Sequence, residues 1–299
     1  MIYKLSELIE KAQSKPEQKI AVAAAEDKAV LISIRDAKKK GIATPILVGD
    51  KAKIEAIAQT VDLDLSNIQI VHNDLGAEES ARLAVSLVKT GEADILMKGF
   101  VSTGALLKAV LDKENGLRKG QILSHVAFFE STYYHKLLCV TDVAMNIAPD
   151  FDTKIDILKN AVEACHKIGI LNPKVAVIAA IETVNPKMEA TVHAAMLQTM
   201  SRRNQLAGCI VDGPLAIDNA INKEAAEHKG IVSEVAGDSD ILLVPNIEAG
   251  NIFYKTLSFL GGATAAAVIM GAAVPIVLTS RSDSEESKML SIALAAAMD

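Results

Sequence analysis

The sequence predicts a doubly wound parallel α/β fold, and three observations carry that prediction. Short β-branched and aliphatic runs alternate with stretches of helical length and helical apolar spacing along most of the chain. Half of the 299 residues are hydrophobic, yet aromatics make up only 3% and tryptophan is absent; Ala, Ile, Val and Leu are what parallel strands covered by helices need. A chain of this length can also bury one large core or two linked ones.

The elements follow in order. Leu5, Leu8, Ile9 and Ala12 recur at helical spacing until Pro16. A strand over 19–24 precedes a helix over 28–40, and a strand over 44–48 ends at Gly49-Asp50. A helix over 51–60, a strand over 68–71, a helix over 77–90 and a strand over 95–97 continue the alternation, followed by a helix over 105–111. Glycines and charges interrupt it over 116–124, which places a domain junction near residue 122. Residues 125–129 and 136–141 read as an antiparallel pair. Helix 153–168, strand 175–179, helix 189–205 and strand 209–212 resume the pattern. A final strand, Ile276–Leu278, leads to a helix opened by Asp283, Glu285 and Glu286, where acidic residues suit the positive end of the dipole. No internal repeat, low-complexity segment or long linker interrupts the chain.

Composition narrows the function. A net charge of −6 argues against a nucleic-acid partner and against a basic membrane-binding face. Thr256–Ser280 carries no charge and is long enough to span a bilayer, but Gly261, Gly262, Gly271 and Pro275 fit a buried helix end followed by buried strands instead. The amino terminus is charged and amphipathic, not a secretory signal. Cys139, Cys165 and Cys209 form no C-x-x-C pair, so free thiols in a reducing cytoplasm are expected.

Four loops carry candidate chemistry. In an α/β protein ligands bind where strands end and helices begin. At that position Ser280-Arg281-Ser282 offers a hydroxyl, a fixed positive charge and a second hydroxyl, a combination that suits an anionic substrate. The competing reading makes Ser282 or Asp283 an N-cap and Arg281 a surface cation. KGFVSTG (Lys98–Gly104) puts Lys98, Gly99, Ser102 and Thr103 at another strand-to-helix turn, able to present backbone N–H groups to a phosphate. It is not a Walker A sequence, and a tight turn without a ligand is its alternative. VDGPLAID (Val211–Asp218) turns at Gly-Pro, with Asp218 as the expected N-cap. Asp240–Asn251 brings Asn246, Glu248 and Asn251 to a helix start, where a carboxylate beside an amide is costly to bury without a purpose. His166 and His193 read as ordinary surface or packing residues rather than ligands; His125 is a weak site candidate near the junction.

Taken together, GEADILMKG (Gly91–Gly99), VDGPLAIDNAI (Val211–Ile221), DILLVPNIEAGNIFYKTL (Asp240–Leu257) and PIVLTSRSDS (Pro275–Ser284) resemble the phosphotransacetylase/phosphate butyryltransferase family of phosphate acyltransferases. The segments span most of the chain in the family's order, and DGPLAIDNAI with a length near 300 resembles the butyryltransferase branch more than the phosphate acetyltransferases. The resemblance implies an isocitrate/isopropylmalate-dehydrogenase-like fold of two α/β domains, 1–122 with 269–299 and 123–268, with an interdomain cleft. It implies reversible acyl transfer between acyl-CoA and inorganic phosphate, with coenzyme A as substrate and no metal, cofactor or covalent acyl-enzyme. It also implies a cytoplasmic homo-oligomer, at least a dimer, with no nucleic-acid or membrane partner. The family's Ser-Arg pair matches Ser280 and Arg281, and a family arginine falls on Lys108. A family aspartate falls on Ser287, so the thiol-deprotonating carboxylate passes to Asp283 or Glu286.

The residues suit that chemistry. Phosphate attacking a thioester carbonyl passes through an oxyanion, which Ser280 can meet with a hydrogen bond. Arg281 can hold phosphate bidentately, with Lys98 or Lys108 adding charge, and the reverse direction needs a base for the thiol proton. Two other readings stay open: a metal- and NAD-dependent hydroxyacid dehydrogenase, for which Asp212 and Asp218 alone supply too few ligands, and a non-catalytic acyl-coenzyme A binding protein.

Overall fold

The computed structural model describes residues 2–120, 122–280 and 283–298. Arg281 and Ser282, on which part of the site expectation falls, lie outside the described residues.

In chain order the elements are α1 (Leu5–Gln13), β1 (Gln18–Ala23), α2 (Lys28–Lys39), β2 (Ala43–Gly49), α3 (Lys51–Thr60), β3 (Gln69–His72), α4 (Ala77–Lys89), β4 (Ile95–Lys98) and α5 (Thr103–Val110). They continue with β5 (Ser124–Glu130), β6 (Leu138–Thr141), α6 (Phe151–Ile168), β7 (Lys174–Ile178), α7 (Glu189–Arg202), β8 (Ile210–Leu215), α8 (Ile217–Ile221), α9 (Lys223–His228), β9 (Ile241–Leu243) and α10 (Ile247–Lys255). A π-helical turn, Thr256–Leu260, precedes β10 (Thr264–Met270), β11 (Ile276–Val277) and α11 (Glu285–Ala297).

The chain divides into two compact units. The first comprises the described residues of Ser6–Gln121 and Ala266–Asp299; the second, those of Met1–Leu5 and Ile122–Ala265. In the first unit the strands run β3-β2-β1-β4-β11-β10. Each adjacent pair is parallel except the last: β10 runs antiparallel to β11, with Ile269 opposite Ile276. The doubly wound parallel sheet expected from the sequence is therefore mixed at this edge of the first unit. A link of five residues, 271–275, turns the chain straight back, whereas a parallel crossover needs a dozen or more. The strand interiors, such as Ile20–Ala23 and Ile95–Met97, are fully buried, as β-branched and aliphatic runs without polar alternation require. Asp27 and Asp50 cap α2 and α3, accepting from Val30 N (2.9 Å) and Ala52 N (3.1 Å). Helix α11 is buried from Lys288 to Ala297 and packs against α2, its alanines allowing the close approach.

The second unit orders its strands β5-β6-β9-β7-β8, with β5 antiparallel to β6 and the others parallel. A charged cluster joins the beginnings of β6, β7 and β9. Lys136 Nζ lies 2.7 Å from Asp240 and 3.0 Å from Asp238, Lys174 Nζ lies 2.6 Å from Asp238, and Asp240 Oδ2 accepts from Lys174 N at 2.8 Å. Burial works to raise the Asp238 pKa, but the bonds from Lys174, Lys136 and His135 outweigh it and hold the carboxyl well below its ordinary range. Asp218 does not cap α8. Ala216 occupies that position, and Asp218 sits in the first turn, 3.6 Å from Lys229. The helix starts as soon as the chain leaves β8, two residues earlier than the side-chain chemistry suggested. Among the described residues no helix is long and apolar enough to cross a membrane.

Candidate active site

In the first unit, β4 and β11 are parallel neighbours, with Leu96 opposite Ile276 and Met97 opposite Val277. Residues 99–102 and 278–280, which follow them, therefore leave the sheet at the same carboxyl-terminal edge. The structure thus brings Lys98, Gly99, Ser102 and Thr103 to one edge with Ser280 and Asp283. Asn246 and Glu248 belong to the second unit.

Lys98, the last residue of β4, is only 9% exposed, and its ammonium donates to Gly99 O at 3.3 Å. Gly99 is required by close approach. An added Cβ would lie 2.1 Å from Ala24 O and 2.6 Å from Ala23 O. Gly99 N donates to Ala23 O at 2.9 Å and Phe100 N to Ala24 O at 2.6 Å, so the loop is fastened to the end of β1. Ala24 itself takes φ 55°, an uncommon conformation for a residue with a Cβ. Ser102 is the N-cap of α5; its Oγ accepts from Ala105 N at 3.1 Å. That bond uses a lone pair, and the hydroxyl proton is still free to be donated to an anion. The helix thus starts at Thr103, two residues before the expected 105, because the cap is Ser102. Lys108, exposed in the last turn of α5, lines a groove of about 310 Å³ between α4 and α5 with Arg82, Glu78 and Asp112.

The second loop closes on itself. Asp283 Oδ2 accepts from Ser280 N at 2.6 Å, and Asp283 N donates to Ser280 O at 3.2 Å. Ser280 is exposed at this turn. Ser284 caps α11 by accepting from Ser287 N at 3.1 Å, so the cap is neither Ser282 nor Asp283. Ser287, where the resemblance puts an aspartate, takes a bond from the Ser284 hydroxyl at 3.1 Å.

In the second unit Asn246 is the N-cap of α10, its Oδ1 accepting from Ala249 N at 3.0 Å, and Glu248 is exposed in the first turn. The α10 dipole accounts locally for both residues. Beside them lies a turn the sequence reading missed. The buried Asp142 carboxylate accepts from the backbone of Ala144 (3.0 Å), Met145 (3.1 Å) and Asn146 (3.1 Å), and from Asn146 Nδ2 at 2.6 Å. Asn251 Nδ2 donates to Val143 O at 3.2 Å, and Gly250 leaves room for Asp142 O, which a Cβ would meet at 2.7 Å. The signal was present as an Asp-x-x-x-Asn spacing directly after a strand. His125 is buried on β5, its ring edge-on to Tyr254 at 5.9 Å. His166 bonds Gly208 O at 2.7 Å, and His193 lies 3.0 Å from Lys154 Nζ, both in packing roles.

The sequence profile of the family described as phosphate acetyl/butaryl transferase matches residues 4–81 and 73–296. The chain belongs to this family. It is 52% identical over 296 residues to a phosphate butyryltransferase of Clostridium acetobutylicum, covering 99% of this chain and 98% of that one. It is 46% identical to a phosphate acetyltransferase of Thermotoga maritima, with 98% of each covered. A crystal structure of a branched-chain phosphotransacylase from Enterococcus faecalis V583 superposes with a TM-score of 0.83 at 37% identity, covering 94% of this chain and 98% of that one. The strand-end lysine, the glycine that closes on β1 and the Ser280 turn are therefore features of a phosphate acyltransferase. Among the described residues no group of three or more His, Cys, Asp or Glu is placed to hold a metal ion.

Proposed function

We propose that this phosphate acyltransferase transfers a four-carbon acyl group reversibly between coenzyme A and inorganic phosphate, by direct attack within a ternary complex. Membership of the phosphate acyltransferase family carries the reaction class. The butyryl preference rests on the 52% identity to a phosphate butyryltransferase. With a phosphate acetyltransferase 46% identical, acetyl transfer is the second reading.

In the proposed reaction a phosphate oxygen attacks the thioester carbon. Ser280 donates a hydrogen bond to the oxyanion that develops, and Lys98 supplies positive charge at the neighbouring loop. Ser102 and Thr103 add hydroxyl donors, and Gly99 lets the loop lie flat on β1. Arg281 is assigned the bidentate grip on phosphate, on its sequence position beside Ser280. Lys108 adds a further cation. The reverse reaction needs a base for the thiol proton, a role given to Asp283, whose second carboxylate oxygen remains an acceptor. Asn246 and Glu248 are assigned to substrate binding from the second unit.

We further propose an isocitrate/isopropylmalate-dehydrogenase-like class for the two α/β units, supported by the return of the chain into the first unit after the second is complete. A cytoplasmic homo-oligomer, at least dimeric, completes the reading. Three free cysteines support the first attribute, and the exposed apolar Val184 and Met196 near Phe151 support the second.

Initial rates with acyl-CoA and phosphate varied together test this reading. Intersecting double-reciprocal lines are expected; parallel lines indicate a covalent acyl-enzyme and refute direct attack. kcat/KM should favour butyryl- over acetyl-coenzyme A by a graded factor, since a methylene is worth about 1–3 kcal/mol. Equal or better use of acetyl-coenzyme A assigns the enzyme to the second reading.

A further inference from the structure

Lys288 breaks three local rules at once. It is a lysine only 3% exposed, although lysine is almost never fully buried without a charged partner. It lies near the amino terminus of α11, four residues after the Ser284 cap, where the helix dipole disfavours a cation. Among the described residues no carboxylate forms an ion pair with it, and its ammonium, with three donors, bonds to one acceptor, Asp283 O. A site where several local preferences fail together is where function is to be sought.

The geometry shows what the lysine reaches. Side chains of a helix tilt toward its amino terminus, and here the ammonium reaches back beyond the cap to the Asp283 carbonyl. The same Asp283 receives Ser280 N–H on its carboxylate at 2.6 Å and donates its own N–H to Ser280 O at 3.2 Å. The chain of bonds therefore runs from a buried cation to the Asp283 carbonyl and, through that residue's carboxylate and N–H, to both backbone groups of Ser280. We infer that Lys288 is a positioning residue for the phosphate acyltransfer reaction, which holds the Ser280 turn in its reactive geometry through Asp283. This inference rests on the reading of Ser280 given under Proposed function.

The test compares Lys288→Met, Lys288→Arg, Asp283→Ala and the Lys288→Met/Asp283→Ala double variant by phosphate-dependent thiol release and thermal melting. Methionine keeps the length and apolar stem of the side chain but removes the donor, and replacing a buried charge by an apolar side chain is often neutral or stabilising. The expected result is a fall in kcat of about tenfold or more with an unchanged or raised Tm, and partial recovery in Lys288→Arg. Because Asp283→Ala removes the carboxylate that holds Ser280 N, one of the links through which Lys288 acts, the two losses should be less than multiplicative in the double variant. Wild-type kcat in Lys288→Met overturns the inference while leaving acyl transfer intact. So does a kcat loss that merely tracks a lowered Tm, or losses that multiply in the double variant. A wild-type enzyme without phosphate-dependent release removes the parent reading, and the inference with it.

Discussion

Replacing Gly99 by alanine probes the closest approach in the candidate site. The glycine is not in a left-handed conformation, so space alone is at issue. The new Cβ would lie 2.1 Å from Ala24 O, 2.6 Å from Ala23 O and 2.8 Å from Ala24 C, all of them backbone atoms that cannot rotate away. A relaxed carbon–oxygen contact is about 3.3 Å or more, so the loop must lift by roughly 1 Å. Overpacking of this kind costs about 1–3 kcal/mol. Lifting also stretches the bonds from Gly99 N to Ala23 O (2.9 Å) and from Phe100 N to Ala24 O (2.6 Å), each worth about 0.5–1.5 kcal/mol. The total is about 2–6 kcal/mol, or a fall in Tm of roughly 4–24 °C at about 2–4 °C per kcal/mol. Because Lys98 and Ser102 flank the glycine, the KM for phosphate should rise even where the variant is fully folded. Gly104→Ala is the control: its Cβ meets nothing within 4 Å, and Gly104 lies within α5, so it should be neutral or stabilising by up to about 1 kcal/mol. Circular-dichroism melts with phosphate titrations read both effects. A Gly99→Ala protein that melts like Gly104→Ala and keeps its phosphate KM refutes the argument.

Two further predictions come from the second unit. Asp238 is held below its ordinary pKa, so it stabilises the fold above its unfolded value of about 3.9, and that contribution is lost as pH falls through the lower folded value. Asp238→Asn should therefore flatten the acid limb of a stability-versus-pH curve below about pH 4; an unchanged limb contradicts the cluster's role. Burial pushes the Cys209 thiol up to about 11, while Cys139 and Cys165 are buried. The native protein should react slowly with a thiol reagent at pH 8 and release the full count of three only when denatured; rapid native labelling would show that these thiols are open.

What could be read from the sequence was local. The α/β alternation follows from apolar runs and helical spacing, and the KGFVSTG loop was visible because a glycine, a lysine and a capping serine sit within five residues. Features built from distant residues were hidden. The antiparallel course of β10 depends on how tightly 271–275 turns, and the cluster at Asp238 joins residues from 135 to 240 that share no spacing rule. Two helix starts were misplaced for one reason: Ser102 and Ser284 are the caps of α5 and α11, and each competes with other hydroxyl or acidic residues close by. At α8 a non-capping Ala216 holds the position expected for Asp218. Lys288 went unread because nothing in a sequence marks a lysine on an alanine-rich helix as buried. Arg281 and Ser282 keep their standing from the sequence alone.

The central claim is acyl transfer between coenzyme A and inorganic phosphate, and thiol release from butyryl-coenzyme A with and without phosphate tests it most directly. The account predicts release that depends on phosphate and saturates with it, with an equal amount of acyl phosphate trapped by hydroxylamine as the hydroxamate. Release at the same rate without phosphate, or none in its presence with any short-chain acyl-coenzyme A, would contradict it.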